Sequence, residues 1–100
     1  MSNEFRLAGK RALVTGSGTG LGHGIALEFA RQGADVVLHY SHSAAGAEEA
    51  VEQIKAMGRK SVAFKADFSD VDQVEELGRQ AIGFLGGIDC LVNNAGITFN

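Results

Sequence analysis

The chain has 100 residues, 45% hydrophobic and 21% charged, a balance that fits one globular domain and excludes a disordered chain. Nine Lys and Arg against twelve Asp and Glu leave a net charge of −3, which argues against a nucleic-acid-binding stripe or a basic membrane patch. No apolar run approaches the ~20 residues of a spanning helix. The opening MSNEFRLAGK does not read as a secretory signal, and the one cysteine, Cys90, permits no internal disulfide and suits a reducing cytoplasm.

Glycine supplies 14 residues, about twice the ~7% average, and proline none. That combination suggests backbone that turns tightly or approaches something closely. In chain order, residues 12–15 form a short apolar run ending at Gly16 and read as a buried strand. Residues 21–32 carry Leu21, Ile25, Ala26, Phe29 and Ala30 on a helical stripe, with Gly33 where a left-handed cap belongs. Residues 35–39 read as a second strand. Ser43 is placed to cap a helix whose stripe is Ala47, Val51 and Ile54, closed by Gly58. Residues 61–65 read as a third strand. Ser69 precedes Asp72 at capping-box spacing, ahead of a helix with Val71, Val74, Leu77 (or Gly78), Ala81 and Leu85 that stops at Gly86 and Gly87. Residues 90–92 read as a fourth strand, running into Asn93, Asn94, Ala95 and Gly96.

The order is therefore β-α-β-α-β-α-β. Strands joined by helices run parallel with right-handed crossovers, and continuous apolar runs indicate strands covered on both faces. The predicted fold is α/β, a doubly wound parallel sheet of Rossmann type. Such sheets bind ligands beyond the carboxyl ends of the strands, where strand order reverses.

Residues 15–24, between the first strand and the first helix, do not match G-x-G-x-x-G, because a start at Gly18 requires glycine where His23 stands. They match G-x-x-x-G-x-G at Gly16, Gly20 and Gly22. Gly16 permits the sharp exit from the strand, Gly20 lets backbone approach a diphosphate, and Gly22 lets the helix pack closely. Free N–H groups and the helix dipole then hold phosphate. No Lys-Ser/Thr pair follows, which argues against a P-loop nucleotidase. The structural alternative is a tight strand-to-helix turn and nothing more.

The run from Thr15 to Gly22, together with Asn93-Asn94-Ala95-Gly96 and with Asp67 after the third strand, resembles the short-chain dehydrogenase/reductase family. Within it, residues 94–98 and the second strand look most like the 3-oxoacyl-carrier-protein reductase and glucose dehydrogenase groups. The resemblance implies strand order 3-2-1-4. It implies that Gly16, Ser17, Thr19, Gly20, Leu21 and Gly22 line the pyrophosphate and the nicotinamide side. Asp67 would accept from the adenine amino group with the Phe68 backbone beside it. Asn93, Asn94, Ala95 and Gly96 would lie against the adenosine ribose and brace the sheet. Each has a plainer alternative: Asp67 as a loop residue, Asn93 and Asn94 as partners for backbone at a strand end, His23 as a surface residue, Cys90 as a small core residue.

An acid at the end of the second strand bonds a ribose 2′-OH and selects NAD. That end reads His39-Tyr40-Ser41-His42, without an acid. The positions where NADP members of the family often place Arg hold Ser41 and Thr19. A fixed carboxylate opposite a phosphate is costly, and a missing cation is replaceable by hydroxyls and N–H groups, so NADP is preferred over NAD, with Tyr40 and Ser41 at the subsite.

The family's general acid/base is a Tyr-x-x-x-Lys pair. The one tyrosine is Tyr40, and four residues on stands Ala44. Asn100 follows the fourth strand too closely to stand for the family's catalytic Asn. No catalytic residue and no metal ligand is assigned. The resemblance thus points to residues 1–100 as the amino-terminal portion of one Rossmann domain, incomplete at its C-terminal end. It would be completed by the remainder of the fold or a second chain, with an open edge at the fourth strand until then. The complete enzyme would be a cytoplasmic homo-oligomer, tetramer or dimer, acting on a small carbonyl or alcohol substrate without nucleic-acid or membrane partners. A non-catalytic dinucleotide-binding or regulatory fragment is the second reading. A methyltransferase on a similar sheet is disfavoured by the missing acid.

Overall fold

The structure, a computed structural model, describes residues 6–94. Its elements are β1 (Arg11–Thr15), α1 (Gly20–Arg31), β2 (Asp35–Tyr40), α2 (Ala44–Ala56), β3 (Ser61–Lys65), α3 (Val71–Leu85) and β4 (Cys90–Asn93). The sheet is parallel throughout in the order β3-β2-β1-β4, the expected topology. Leu13 pairs in register with Val37 and Leu91, and Val14 with Leu38 and Val92.

Alternation along the strands divides the core in two. Val14, Val36 and Leu38 face α1 and α2, meeting Ala26, Leu27, Ala30, Val51 and Ile54. Leu13 and Val37 face α3, meeting Leu77, Ala81 and Leu85. The central strands β1 and β2 are buried on both faces, as their unbroken apolar runs require. β4 alternates half-buried and exposed, and Leu91 is 64% exposed. α3 packs over β2 and β3 and reaches Leu13 of β1, so its face of the sheet is uncovered toward β4. An apolar groove of about 340 Å³ remains there, with Leu13, Phe68, Leu77, Ile88 and Leu91 among its walls.

That geometry corrects three stripe assignments. Val71, Val74 and Leu21 are exposed, Val74 on the wall of that open groove and Leu21 beside the buried Gly22. The cap of α3 is also one residue later than Ser69. Asp70 accepts from the N–H groups of Asp72 (2.9 Å) and Gln73 (3.4 Å). The Ser69 hydroxyl donates instead to Asp67 Oδ1 at 2.7 Å. Ser43 occupies the cap position of α2, but its side chain makes no capping bond.

Arg11 and Asp89 tie β4 to β1. The Arg11 Nε and Nη2 donate to the two Asp89 carboxylate oxygens at 2.9 and 3.0 Å, and the two backbones exchange further bonds with this pair. The guanidinium hydrogen bond holds the Asp89 carboxyl down at about 2. Cys90 is half-buried and free, at the start of β4. Among the described residues no helix is long and apolar enough to cross a membrane.

Candidate functional site

Strand order reverses between β1 and β4, so the crevice beyond their carboxyl ends is the switch point where such sheets take ligands. The glycine loop leaves β1 there. Gly16 (φ +62°) and Gly20 (φ +60°) adopt the left-handed backbone that glycine alone takes without strain. Space beside Gly20 is open where a Cβ would point, but Gly22 has none. A Cβ on Gly22 would strike the Gly16 carbonyl oxygen and lie 2.6 Å from Asn94 Nδ2. Gly22 therefore sets how closely α1 approaches the strand ends, as its spacing suggested.

The first turn of α1 is bare. Thr19 is its extended cap residue and makes no side-chain capping bond. The N–H groups of Gly18, Thr19, Gly20, Leu21 and Gly22 meet no acceptor among the described residues. The first N–H groups of a helix have no partner within it, and the dipole concentrates positive charge at that end. Five unpaired amides beside an open crevice suit an anion with several oxygens, above all a diphosphate.

Ser17 contributes differently. It is fully buried; its hydroxyl hydrogen bonds with the Val14 carbonyl and the His39 backbone, and its N–H donates to the His39 carbonyl at 2.8 Å. Both polar groups are used internally, so Ser17 shapes the loop. Gly18 and Gly46, which the sequence did not single out, lock the loop to α2. A Cβ on Gly18 would lie 2.7 Å from Ser43 Cβ, and one on Gly46 would strike the Gly18 carbonyl. A glycine in the first turn of a helix was the available signal.

Thr15, Asn93 and Asn94 brace the β1 and β4 ends. The Thr15 hydroxyl bonds with Asn93 Oδ1 (3.1 Å) and accepts from the Asn94 N–H (2.9 Å). The Asn94 amide donates to the Gly16 carbonyl at 3.2 Å. The bracing role expected of these asparagines is thus visible; Ala95 and Gly96 lie outside the described residues.

Beyond β2 the crevice continues as two cavities. One of about 160 Å³ is lined by Gly16, Gly18, Thr19, Tyr40, Ser41 and His42, among others. The other, about 490 Å³, is lined by Ser41, His42, Lys65, Asp67 and Gln73. Lys65 and Gln73 were missed by sequence reasoning. Lys65 ends β3 opposite Tyr40 in register, which only the sheet pairing reveals. Gln73, three residues after the Asp70 cap, accepts from the Asp67 N–H at 2.8 Å. Asp67 Oδ1 accepts both the Ser69 N–H and hydroxyl, and these bonds push its carboxyl below the ordinary value, with nearby His42 adding to the shift. The carboxylate is thus ionised and exposed on the cavity wall, able to accept from an N–H donor. The Phe68 ring stacks on His39 at 4.3 Å between centroids. His23 is half-buried beside Glu49 of α2, at 3.7 Å, away from these cavities' walls.

The model of the family "short chain dehydrogenase" matches residues 10–100. The hydroxynaphthalene reductase arp2 of Aspergillus fumigatus is 50% identical over 91 residues, which are 91% of this chain and 33% of that protein. Versicolorin reductase 1 of Dothistroma septosporum is 47% identical over 95 residues, 95% of this chain and 36% of that protein. Among solved structures, a short-chain dehydrogenase from Burkholderia cenocepacia J2315 in complex with NADP superposes with a TM-score of 0.89 at 47% identity, covering 92% of this chain and 38% of that one. The chain spans about a third of the length of these relatives. Strand order, glycine loop and family match agree, and the chain belongs to the short-chain dehydrogenase family.

Proposed function

We propose that residues 1–100 are the amino-terminal, dinucleotide-binding portion of a single Rossmann domain in an NAD(P)-dependent oxidoreductase. The unpaired amides of Gly18 to Gly22 at the switch point carry this reading. They would hold the pyrophosphate, with Gly20 open to close approach and Leu21, 72% exposed, beside the nicotinamide side. Asp67 would accept from the adenine amino group, and Asn93 to Gly96 would lie against the adenosine ribose. When bound, the cofactor supplies hydride exchange with a carbonyl or alcohol carbon. Two relatives named as reductases favour the carbonyl-reducing direction.

NADP is the preferred cofactor. The β2 end offers hydroxyls at Tyr40 and Ser41 and no carboxylate, and Lys65 adds a cation to the cavity beyond Ser41. The Burkholderia relative solved with NADP supports the same choice. The complete enzyme is proposed to act in the cytoplasm as a homo-oligomer on a small carbonyl or alcohol. Fluorescence titration of the full-length protein with NADPH and NADH tests the reading. Saturable binding with NADPH the tighter is expected, and equal, negligible binding of both would overturn it.

The second reading is a dinucleotide-binding or regulatory fragment without chemistry. Tight NADPH binding by a full-length protein that never oxidises NADPH with any of a panel of ketones and aldehydes would support it.

A further inference from the structure

His39 is fully buried, yet its imidazole joins two parts of the crevice that are far apart in sequence. Nδ1 lies 3.0 Å from the Gly16 nitrogen, and Nε2 lies 2.9 Å from the Ala66 carbonyl oxygen. A backbone N–H only donates and a carbonyl only accepts. The partners therefore assign one tautomer: bare Nδ1, proton on Nε2, ring neutral. The same ring stacks on Phe68. It thus connects the first amide of the glycine loop to the 66–68 segment that carries Asp67.

The consequence for the loop is specific. The Gly16 N–H is taken by the ring and the Ser17 N–H by the His39 carbonyl, so the unpaired series begins at Gly18. On the reading proposed above, we infer that His39 is a positioning residue for the dinucleotide, fixing which loop amides face the pyrophosphate and how they stand relative to Asp67. A proton on Nδ1 would set N–H against N–H at Gly16 and release the loop.

Burial pushes the imidazole below its ordinary value of 6.5, the Ala66 carbonyl acts in the opposite direction, and no charged neighbour contributes. Tyr40 and His42 beyond β2, Lys65 and Asp67 at the β3 end, His23 on α1, and Asp70, Asp72 and Glu76 at α3 make no hydrogen bond to the ring. With the folded value depressed, the tie is intact above about pH 6.5 and is lost as pH falls through the lower folded value.

The test uses full-length protein, NAD⁺ and NADP⁺, and pH from about 8 to about 5.5, with the fold followed by circular dichroism. Both dinucleotides are needed because a phosphate monoester itself titrates near pH ~6, so only pH dependence common to the two reports the ring. Nitrogen-15 NMR of histidine-labelled protein should show His39 with its proton on Nε2. Wild-type affinity should be level above about pH 6.5 and weaken only as pH falls through the depressed folded value. His39→Asn, whose amide oxygen takes the place of Nδ1, should keep affinity within about threefold and lose the pH dependence. His39→Gln, whose amide nitrogen takes the place of Nε2 and leaves Gly16 unpaired, should bind about tenfold more weakly at every pH. An Nδ1–H tautomer, or a Gln variant that binds like wild type, would overturn this inference alone. Failure of wild type to bind either dinucleotide at pH ~8 would overturn the functional reading and this inference with it.

Discussion

Gly22→Ala is the substitution for which the packing gives the clearest magnitude. The new methyl would collide with the Gly16 carbonyl oxygen, with its carbon at 2.9 Å and Asn94 Nδ2 at 2.6 Å. Carbon atoms prefer about 3.5–4.0 Å, so the first turn of α1 must shift outward by roughly 1 Å. The obstacle is backbone, which no rotamer change relieves. Overpacking of this kind costs about 1–3 kcal/mol, against a gain of up to about 1 kcal/mol from removing a helical glycine. A net loss of about 1–2 kcal/mol is expected. Because the displaced turn carries the unpaired amides, NADPH affinity should fall about tenfold or more, equivalent to about 1.4 kcal/mol. Gly24→Ala is the matched control. It lies in the same helix with nothing within 4 Å of its Cβ position. It should gain about 0.5–1 kcal/mol and leave NADPH affinity unchanged. Urea unfolding and fluorescence titration of both variants measure the two quantities. If Gly22→Ala retained wild-type stability and affinity, the close approach of α1 to Gly16 would not be what the site requires.

Asp70→Ala removes the acceptor for the Asp72 and Gln73 amides and should cost about 0.5–2 kcal/mol by urea denaturation, most of it recovered in Asp70→Asn. Asp89→Asn should lose the stabilisation from Arg11 in a pH-dependent way. The carboxyl sits at about 2 when folded against an ordinary 3.8, so the difference from wild type should be full above the ordinary value and vanish as pH falls through about 2, checked by urea midpoints across that range. Ser41→Asp places a carboxylate in the cavities shared with His42 and should weaken NADPH by about tenfold or more while sparing NADH, read by paired titrations.

The order of elements and the glycine loop were legible in the sequence because both are local. Strand and helix differ in apolar period within a few residues, and Gly16, Gly20 and Gly22 sit within seven residues of one another at a strand-to-helix junction. The absence of an acid after β2 was legible for the same reason. The cap of α3 was not, because Ser69 and Asp70 are adjacent plausible caps. The choice fell to Asp70 once the Ser69 hydroxyl was taken by Asp67. The exposure of Leu21, Val71 and Val74 was likewise hidden, since a stripe's period does not say which turn overhangs the sheet.

Sequence alone determined the alternation of strands and helices, the loop built for close backbone approach, and the lack of an acid at the end of β2. Tertiary structure alone decided that His39 ties Gly16 to Ala66 across 23 and 27 residues, that Lys65 shares a cavity with Ser41, and that Gly46 receives the Gly18 carbonyl. Local patterns follow from the stereochemistry of neighbouring residues. These contacts join strand ends that only the 3-2-1-4 order and its register bring together.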